Sequence, residues 1–210
     1  MRDRQASIGL RAKTGRTIAV VLSGPPDSPQ VLKRLELSLV NPRQPATYQP
    51  YHEVMDLPWA EGQVAVRKFS KTIEQIASKA LAQLIRNVQA EDYSVCGVGI
   101  VGAPERNLGK IGSPHIRAHA AEGVLFRHVL EVAARENELR NCVFAEHDFN
   151  QLAATELDST AGELESRLSE LGQAVGRPWR ADEKKAAAAA WLALRSFGKS
   201  KGKTKALGRK

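Results

Sequence analysis

The sequence is poor in the features that mark disulfide-stapled, secreted or membrane-spanning proteins. It has two cysteines, Cys96 and Cys142, in 210 residues, and a chain of this length buries a sufficient core without disulfides. No apolar run approaches the roughly 18–20 residues of a membrane helix, and the N-terminal MRDRQAS lacks the apolar core of a signal peptide. We therefore expect a cytoplasmic protein that has no membrane partner, with both cysteines acting as small buried hydrophobic groups.

Acidic residues are absent from the C-terminal end. The formal net charge is +8, and six Lys/Arg with no acid lie in residues 199–210 (KSKGKTKALGRK), so subtracting these six charges leaves +2 for residues 1–198. Such a composition cannot bury enough apolar surface to order itself. We expect one folded domain over residues 1–198 and a disordered basic tail over 199–210. The tail either attracts phosphate or only keeps the protein soluble.

Hydrophobic patterning predicts strands before helices. Apolar runs at 6–11 and 17–23 flank a turn at Gly15, and a period of two in 35–39 predicts a third antiparallel strand. Residues 41–62 hold four of the ten prolines, which indicates an irregular surface loop.

The second half alternates helices and strands. Its predicted elements are an amphipathic helix over 64–90, a strand over 95–101, a helix over 113–138, a strand over 142–145 and helices from Asp148, from Thr160 and over 182–196. This order predicts an α/β fold: a mixed five-stranded sheet, built from a three-strand meander and then alternating strands and helices, with helices on both faces.

Two glycine-containing patterns are better explained by structure than by phosphate binding. Gly97, Gly99 and Gly102 match G-x-G-x-x-G, but they lie within an apolar strand rather than in the turn that opens a helix. We interpret Gly97 and Gly99 as sites of close helix packing. Lys13-Thr-Gly-Arg16 lies between two strands, so it is a hairpin tip whose cations could meet an anion.

His115, His119 and Glu122 lie on one face of the predicted second long helix, because they are four and three residues apart. Two histidines at this spacing can share a metal ion with a nearby carboxylate. More distant ligands would have to come from Glu146, His147 and Asp148. The other interpretation is a polar helix face with partly buried histidines.

Three acidic or hydroxyl residues have a purely structural explanation. Asp148 and Thr160 each precede a Gln or Glu by three positions, which is the capping-box pattern. Asp182 suits the first turn of the last helix, where a carboxylate meets the positive end of the helix dipole.

The element order, the Thr14-Gly15 hairpin and the final alanine-rich helix led by an acid resemble the ribonuclease H-like fold, and within it the RuvC-type Holliday-junction resolvase group, over roughly residues 6–197. The resemblance implies carboxylates on the first strand, the fourth strand and the last helix that hold two divalent ions. Those places fall at Leu10 or Arg11, near Ile100, and at Asp182 and Lys185, so most of the acids are missing.

The resemblance therefore implies a catalytically diverged domain that binds nucleic acid or a nucleic-acid-handling partner. The residues proposed to contact the ligand are Arg11, Lys13, Arg16, Arg117 and Arg180. A binding role is favoured over an enzymatic one, and a divalent metal is compatible with the sequence but not required by it.

Two alternatives stay open. One is a metal-dependent hydrolase or nuclease, with metal ligands His115, His119 and Glu122 and catalytic candidates drawn from a set of four acids: Glu122, Glu146, Asp148 and Asp182. The other is an actin-like or sugar-kinase-like nucleotide binder, which would have to form a homodimer to make a cleft.

Overall fold

A computed structural model describes residues 4–198, and its centre is one five-stranded sheet in the order β3-β2-β1-β4-β5. The strands are β1 Arg4–Lys13, β2 Arg16–Ser23, β3 Gln30–Ser38, β4 Tyr93–Gly102 and β5 Asn141–Ala145. The first three form an antiparallel meander, while β4 and β5 run parallel to β1. The predicted mixed five-stranded α/β fold is confirmed.

Helices cover both faces of the sheet. They are α1 Trp59–Gln89, α2 Pro114–Glu136, α3 Phe149–Glu156, α4 Ala161–Gln173 and α5 Ala181–Phe197. The α1 and α2 helices share one hydrophobic core with the sheet, and α3, α4 and α5 share a second core on the opposite face. Because both faces are covered, β1 and β2 are buried along almost their whole length.

The α5 helix lies unusually close to the sheet. A Cβ atom on Gly9 would come within 1.8 Å of the Ala186 carbonyl oxygen, and one on Gly99 within 2.1 Å of the Ala189 carbonyl oxygen. The alanine run of α5 and these two glycines therefore allow backbone-to-backbone packing. The predicted packing role of Gly99 is confirmed, and Gly97 lies against the ring of Phe197.

The segment between β3 and α1 differs in part from its prediction. It is irregular, with a short 3₁₀ turn at Pro45–Thr47, and residues such as Tyr48 and Leu57 are exposed, but other side chains pack inward. Thr47 is fully buried, and Tyr51 and Val54 pack against the core beneath α1 and α2. Buried side chains can be predicted from a sequence where apolar residues recur at a regular period. This segment has no such period, so its buried side chains were not predicted. The α1 helix also begins at Trp59, five residues before its predicted start at 64.

The helix starts show which capping predictions hold. Thr160 forms a reciprocal capping box with Glu163 at the start of α4, as predicted. Asp182 lies in the first turn of α5, also as predicted. Asp148 precedes α3 without a side-chain cap hydrogen bond, so that capping box is wrong: its backbone at φ −117° and ψ 6° is not the extended geometry that directs a cap side chain at the helix.

Several loops gather at one edge of the sheet. The parallel strands β1, β4 and β5 all end there, β2 begins there and β3 ends there. The α5 helix packs antiparallel to β1, with Asp182 beside Arg11 and Ala190 beside Ser7, so α5 begins at this edge too. We call it the carboxyl edge, and it comprises the segments 14–15, 39–58, 103–113 and 146–148, together with Arg180 at the start of α5.

Three other expectations concern membrane helices, the two cysteines and the basic tail. No helix among residues 4–198 is long and apolar enough to cross a membrane. Cys96 and Cys142 are free and half-buried, and burial raises the pKa of each thiol to about 11. The predicted basic tail, 199–210, lies outside the described residues.

Candidate functional site

Arg11 is the central charged group of the carboxyl edge. It projects from the last part of β1 toward the start of α5, and its side chain is 8% exposed. The guanidinium contacts the Glu146 carboxylate after β5, lies 3.3 Å from Asp182 Oδ1 and donates to the Ala12 carbonyl oxygen at 2.7 Å. One buried cation therefore links three elements: β1, the loop after β5 and the start of α5.

The acids that reach this site do not fit a pair of divalent ions. Glu146 and Asp182 are both engaged by Arg11, and Lys13 Nζ lies 3.2 Å from Asp182 Oδ2. On β4, the residues paired with the end of β1 are Ile100 and Val101, which offer no oxygen side chain. A metal ion here would face a fixed guanidinium and an ammonium group, whose charges repel it.

Glu105, the other acid close to the end of β4, is also held in an ion pair. Its carboxylate contacts Arg127 of α2, whose Nε lies 3.2 Å from Glu131 Oε1. Arg127 packs over Gly102, where an added Cβ would come within 2.8 Å of the arginine stem. A second buried arginine therefore covers the end of β4.

The remaining predicted ligand-binding residues occupy different surroundings. Arg16 is half-exposed and lies 3.2 Å from Glu36 Oε2, and Lys13 is one-third exposed. Arg117 donates to the Ile111 carbonyl oxygen and stacks over the ring of Trp59 at 5.4 Å, so it fastens the 103–113 loop. Arg180 is exposed on the rim of a cavity of about 360 Å³ between α4 and α5.

A compact histidine cluster lies at the same edge on the α1–α2 side. His115 and His119, at the start of α2, have Nε2 atoms 3.1 Å apart. His52, from the 39–58 segment, joins them with ring centroids 5.2 and 4.4 Å away. One ligand atom from each residue lies within 4.8 Å of the others.

Glu122 is a buried hydrogen-bond partner of this cluster. It is 1% exposed, and its Oε1 accepts a hydrogen bond from His52 Nδ1 at 2.9 Å and one from the His52 backbone N–H at 3.3 Å. Burial, and then the negative charge of Glu122, raise the pKa of the neighbouring Tyr51. Glu122 thus stands behind His52 as its hydrogen-bond acceptor.

The structure divides the residues that the sequence analysis grouped around His115. Glu146 contacts Arg11, and the Asp148 carboxylate lies 3.5 Å from His147 Nε2. Neither belongs to the one group of three or more potential ligands found among residues 4–198. The third member of the cluster is instead His52, which local spacing could not reveal because it lies more than 60 residues from His115.

The geometry of sheet and helices can be compared with solved structures. The structure of Thermus thermophilus RuvC in complex with a Holliday junction substrate matches with a TM-score of 0.50 and 10% identity, over 90% of this chain and 92% of that chain. This chain has a RuvC-like, ribonuclease H-like fold.

A second T. thermophilus RuvC structure matches with a TM-score of 0.48 and 12% identity, over 91% of this chain and 96% of that one. No protein-family model matches the chain, and no curated protein matches it. The likeness to RuvC is one of fold, and it agrees with the resemblance drawn from the element order.

Proposed function

We propose that this chain is a RuvC-like domain that binds branched nucleic acid at its carboxyl edge and does not cleave it. One observation carries the second half of the proposal: a buried arginine, Arg11, is held between Glu146 and Asp182 where the resemblance to resolvases implies acids that hold metal ions. The fold supports the first half, because the solved RuvC of the same architecture is bound to a Holliday junction.

The carboxyl edge offers cations for phosphate. Within residues 4–198, four exposed arginines and lysines of this edge form no ion pair with a carboxylate: Arg43, Arg106, Lys110 and Arg180. Their side chains are therefore available to phosphate oxygens without first breaking a salt bridge. Lys13 and Arg16 extend the same surface, although each already contacts an acid.

The role of Arg11 differs from that of these exposed cations. Its guanidinium forms ion pairs with two carboxylates and donates to one backbone carbonyl, and it is almost completely buried. We assign it to holding the edge together and not to phosphate contact. Together with Lys13, it offsets the charges of the two acids, which would otherwise repel a phosphate backbone.

The geometry favours neither alternative function over binding. The hydrolase site would need Glu146 and Asp148 beside the histidines, and they lie elsewhere. An actin-like or sugar-kinase-like nucleotide binder needs a cleft between two related domains, and residues 4–198 form one sheet.

Salt-dependent binding tests the interface. We expect the full chain to bind a four-way DNA junction with an affinity that falls steeply as salt rises, because phosphate contacts release counterions. Changing Arg106, Lys110 and Arg180 together to Gln should lower the slope of log affinity against log salt by up to about 3, since each lost contact with duplex DNA accounts for about 0.9.

A matched control removes the same charge from the opposite edge. Lys79, Arg86 and Arg135 are exposed in the C-terminal halves of α1 and α2, and their change to Gln should leave the slope within error. An equal loss in both triple variants would show that only the net charge matters and would refute a defined interface. So would binding that does not depend on salt.

A further inference from the structure

One ring nitrogen of His52 is free to bind a metal ion. Its Nδ1 donates to the buried carboxylate of Glu122, so its Nε2 carries the free lone pair. That Nε2 atom is buried and has no hydrogen-bond partner among the described residues. Buried polar atoms are nearly always paired, so an unpaired one needs an explanation. A cation bound between the three rings would supply the missing partner.

The other two histidines complete the arrangement. The Nε2 atoms of His115 and His119 lie 3.1 Å apart, close to the separation of about 3.3 Å between two nitrogens that bind one tetrahedral zinc ion at about 2.05 Å. Both side chains are exposed, so an ion can reach them from solvent. Three neutral imidazoles without a carboxylate in direct reach favour Zn²⁺ and related transition metals over Mg²⁺.

We infer that His52, His115 and His119 form a zinc site that fastens the 39–58 segment to the start of α2. Glu122 is the positioning residue: it accepts the His52 N–H and thereby fixes the ring, as carboxylates do behind histidine ligands of zinc. Three protein ligands leave the fourth position to water. The site uses none of the exposed cations assigned to nucleic acid, although it lies at the same edge, so zinc binding and junction binding can be measured separately.

Zinc binding by the full chain tests the site directly. After treatment with EDTA and dialysis, the protein should take up one equivalent of Zn²⁺, measured by elemental analysis and by titration calorimetry. Excess Mg²⁺ should not displace it, and zinc should raise the melting temperature because only the folded chain brings the three rings together. Co²⁺ should give the visible absorption of a tetrahedral site.

The five histidines of the chain provide their own controls. His52→Ala, His115→Ala and His119→Ala should each lower zinc affinity at least about 10-fold, and Glu122→Gln by about 10- to 100-fold. His128→Ala and His147→Ala change exposed histidines outside the cluster and should bind as the wild type does. His115→Ala and His119→Ala alter exposed side chains, so their folds should stay intact by circular dichroism.

Two results would overturn the inference. Substoichiometric zinc in the wild-type protein would show that the rings do not make a site. Wild-type affinity in His52→Ala would show that the binding comes only from the helical pair His115 and His119.

Discussion

Arg11 reaches from β1 to both Glu146 and Asp182, and its side chain is 8% exposed while the two acids are 40% and 36% exposed. Removing one partner of a fully buried ion pair costs about 3–5 kcal/mol. Because these acids stay in contact with water, we expect a smaller effect.

The change Arg11→Met keeps the apolar stem and removes the charge. We expect it to lower the free energy of unfolding by about 1–3 kcal/mol. Asp182→Asn should cost less in the Arg11→Met background than in the wild type, with a coupling of about 0.5–3 kcal/mol. Urea denaturation at neutral pH measures all four proteins of this cycle.

An exposed pair provides the comparison for that cycle. Arg16 and Glu36 are 49% and 54% exposed and lie 3.2 Å apart, so Arg16→Met and Glu36→Gln should couple by less than about 1 kcal/mol. Equal coupling in the two cycles, or additivity of Arg11→Met and Asp182→Asn, would contradict the central place given to Arg11.

At the scale of elements, the close contact between α5 and β1 depends on the absence of a side chain at Gly9. A methyl group there would come within 1.8 Å of the Ala186 carbonyl oxygen, and backbone cannot move aside as a flexible side chain can. We expect Gly9→Ala to destabilise the fold by about 3 kcal/mol or more, at the upper end of the overpacking range.

Gly112→Ala is the matched control for that substitution. A Cβ at Gly112 meets nothing within 4 Å, and its φ is not positive, so its change should alter the free energy of unfolding by less than about 0.5 kcal/mol. Chemical denaturation of both variants measures the difference. Similar stability of the two would show that α5 does not pack as closely as described.

A second prediction at the scale of elements concerns the N-terminal cap of α4. Thr160 Oγ1 accepts from the Glu163 backbone N–H at 3.2 Å, and the Glu163 carboxylate accepts from the Thr160 backbone N–H at 2.8 Å. Thr160→Ala should lower the free energy of unfolding by about 0.5–2 kcal/mol, whereas Asp148→Ala, at a helix start without a side-chain cap, should change it by a few tenths. Equal effects would contradict the capping assignment.

The same cap gives a pH dependence. Hydrogen bonds from the backbone and hydroxyl of Thr160 hold the pKa of Glu163 below its ordinary value of 4.5. The resulting stability is present above pH 4.5 and is lost as the pH falls through the lowered pKa. The stability difference between wild type and Glu163→Gln should therefore shrink as the pH falls below 4.5, and urea denaturation across that range measures it. A difference that grows on acidification would contradict it.

Elements with a regular period could be predicted from the sequence, and the sites could be predicted only in part. Alternating Leu35 and Leu37 identified β3, and the apolar run around Val98 identified β4. His52 could not be placed, because its segment has no period and its partners are distant in sequence. Thr47 was missed for the same reason: it is fully buried and accepts a hydrogen bond from the Asn41 backbone N–H.

For the whole molecule, the net charge says little about where nucleic acid would bind. The six cations of residues 199–210 account for most of the excess of +8, and the folded part is nearly balanced. What distinguishes the carboxyl edge is the arrangement of its charges. The four exposed cations assigned to nucleic acid form no ion pair with a carboxylate among residues 4–198, while two of the acids at this edge are held by Arg11. This arrangement favours a phosphate ligand over a cluster of divalent ions.

One measurement tests this account most directly: the fate of an end-labelled four-way DNA junction held at saturating full-length protein with Mg²⁺ or Mn²⁺. We predict that a native gel shows the protein-bound junction and that a denaturing gel shows every strand intact, with the same complex formed in EDTA. Strand cleavage that requires the metal ion and is abolished by Asp182→Asn would contradict the account, as would failure to bind the junction at low salt.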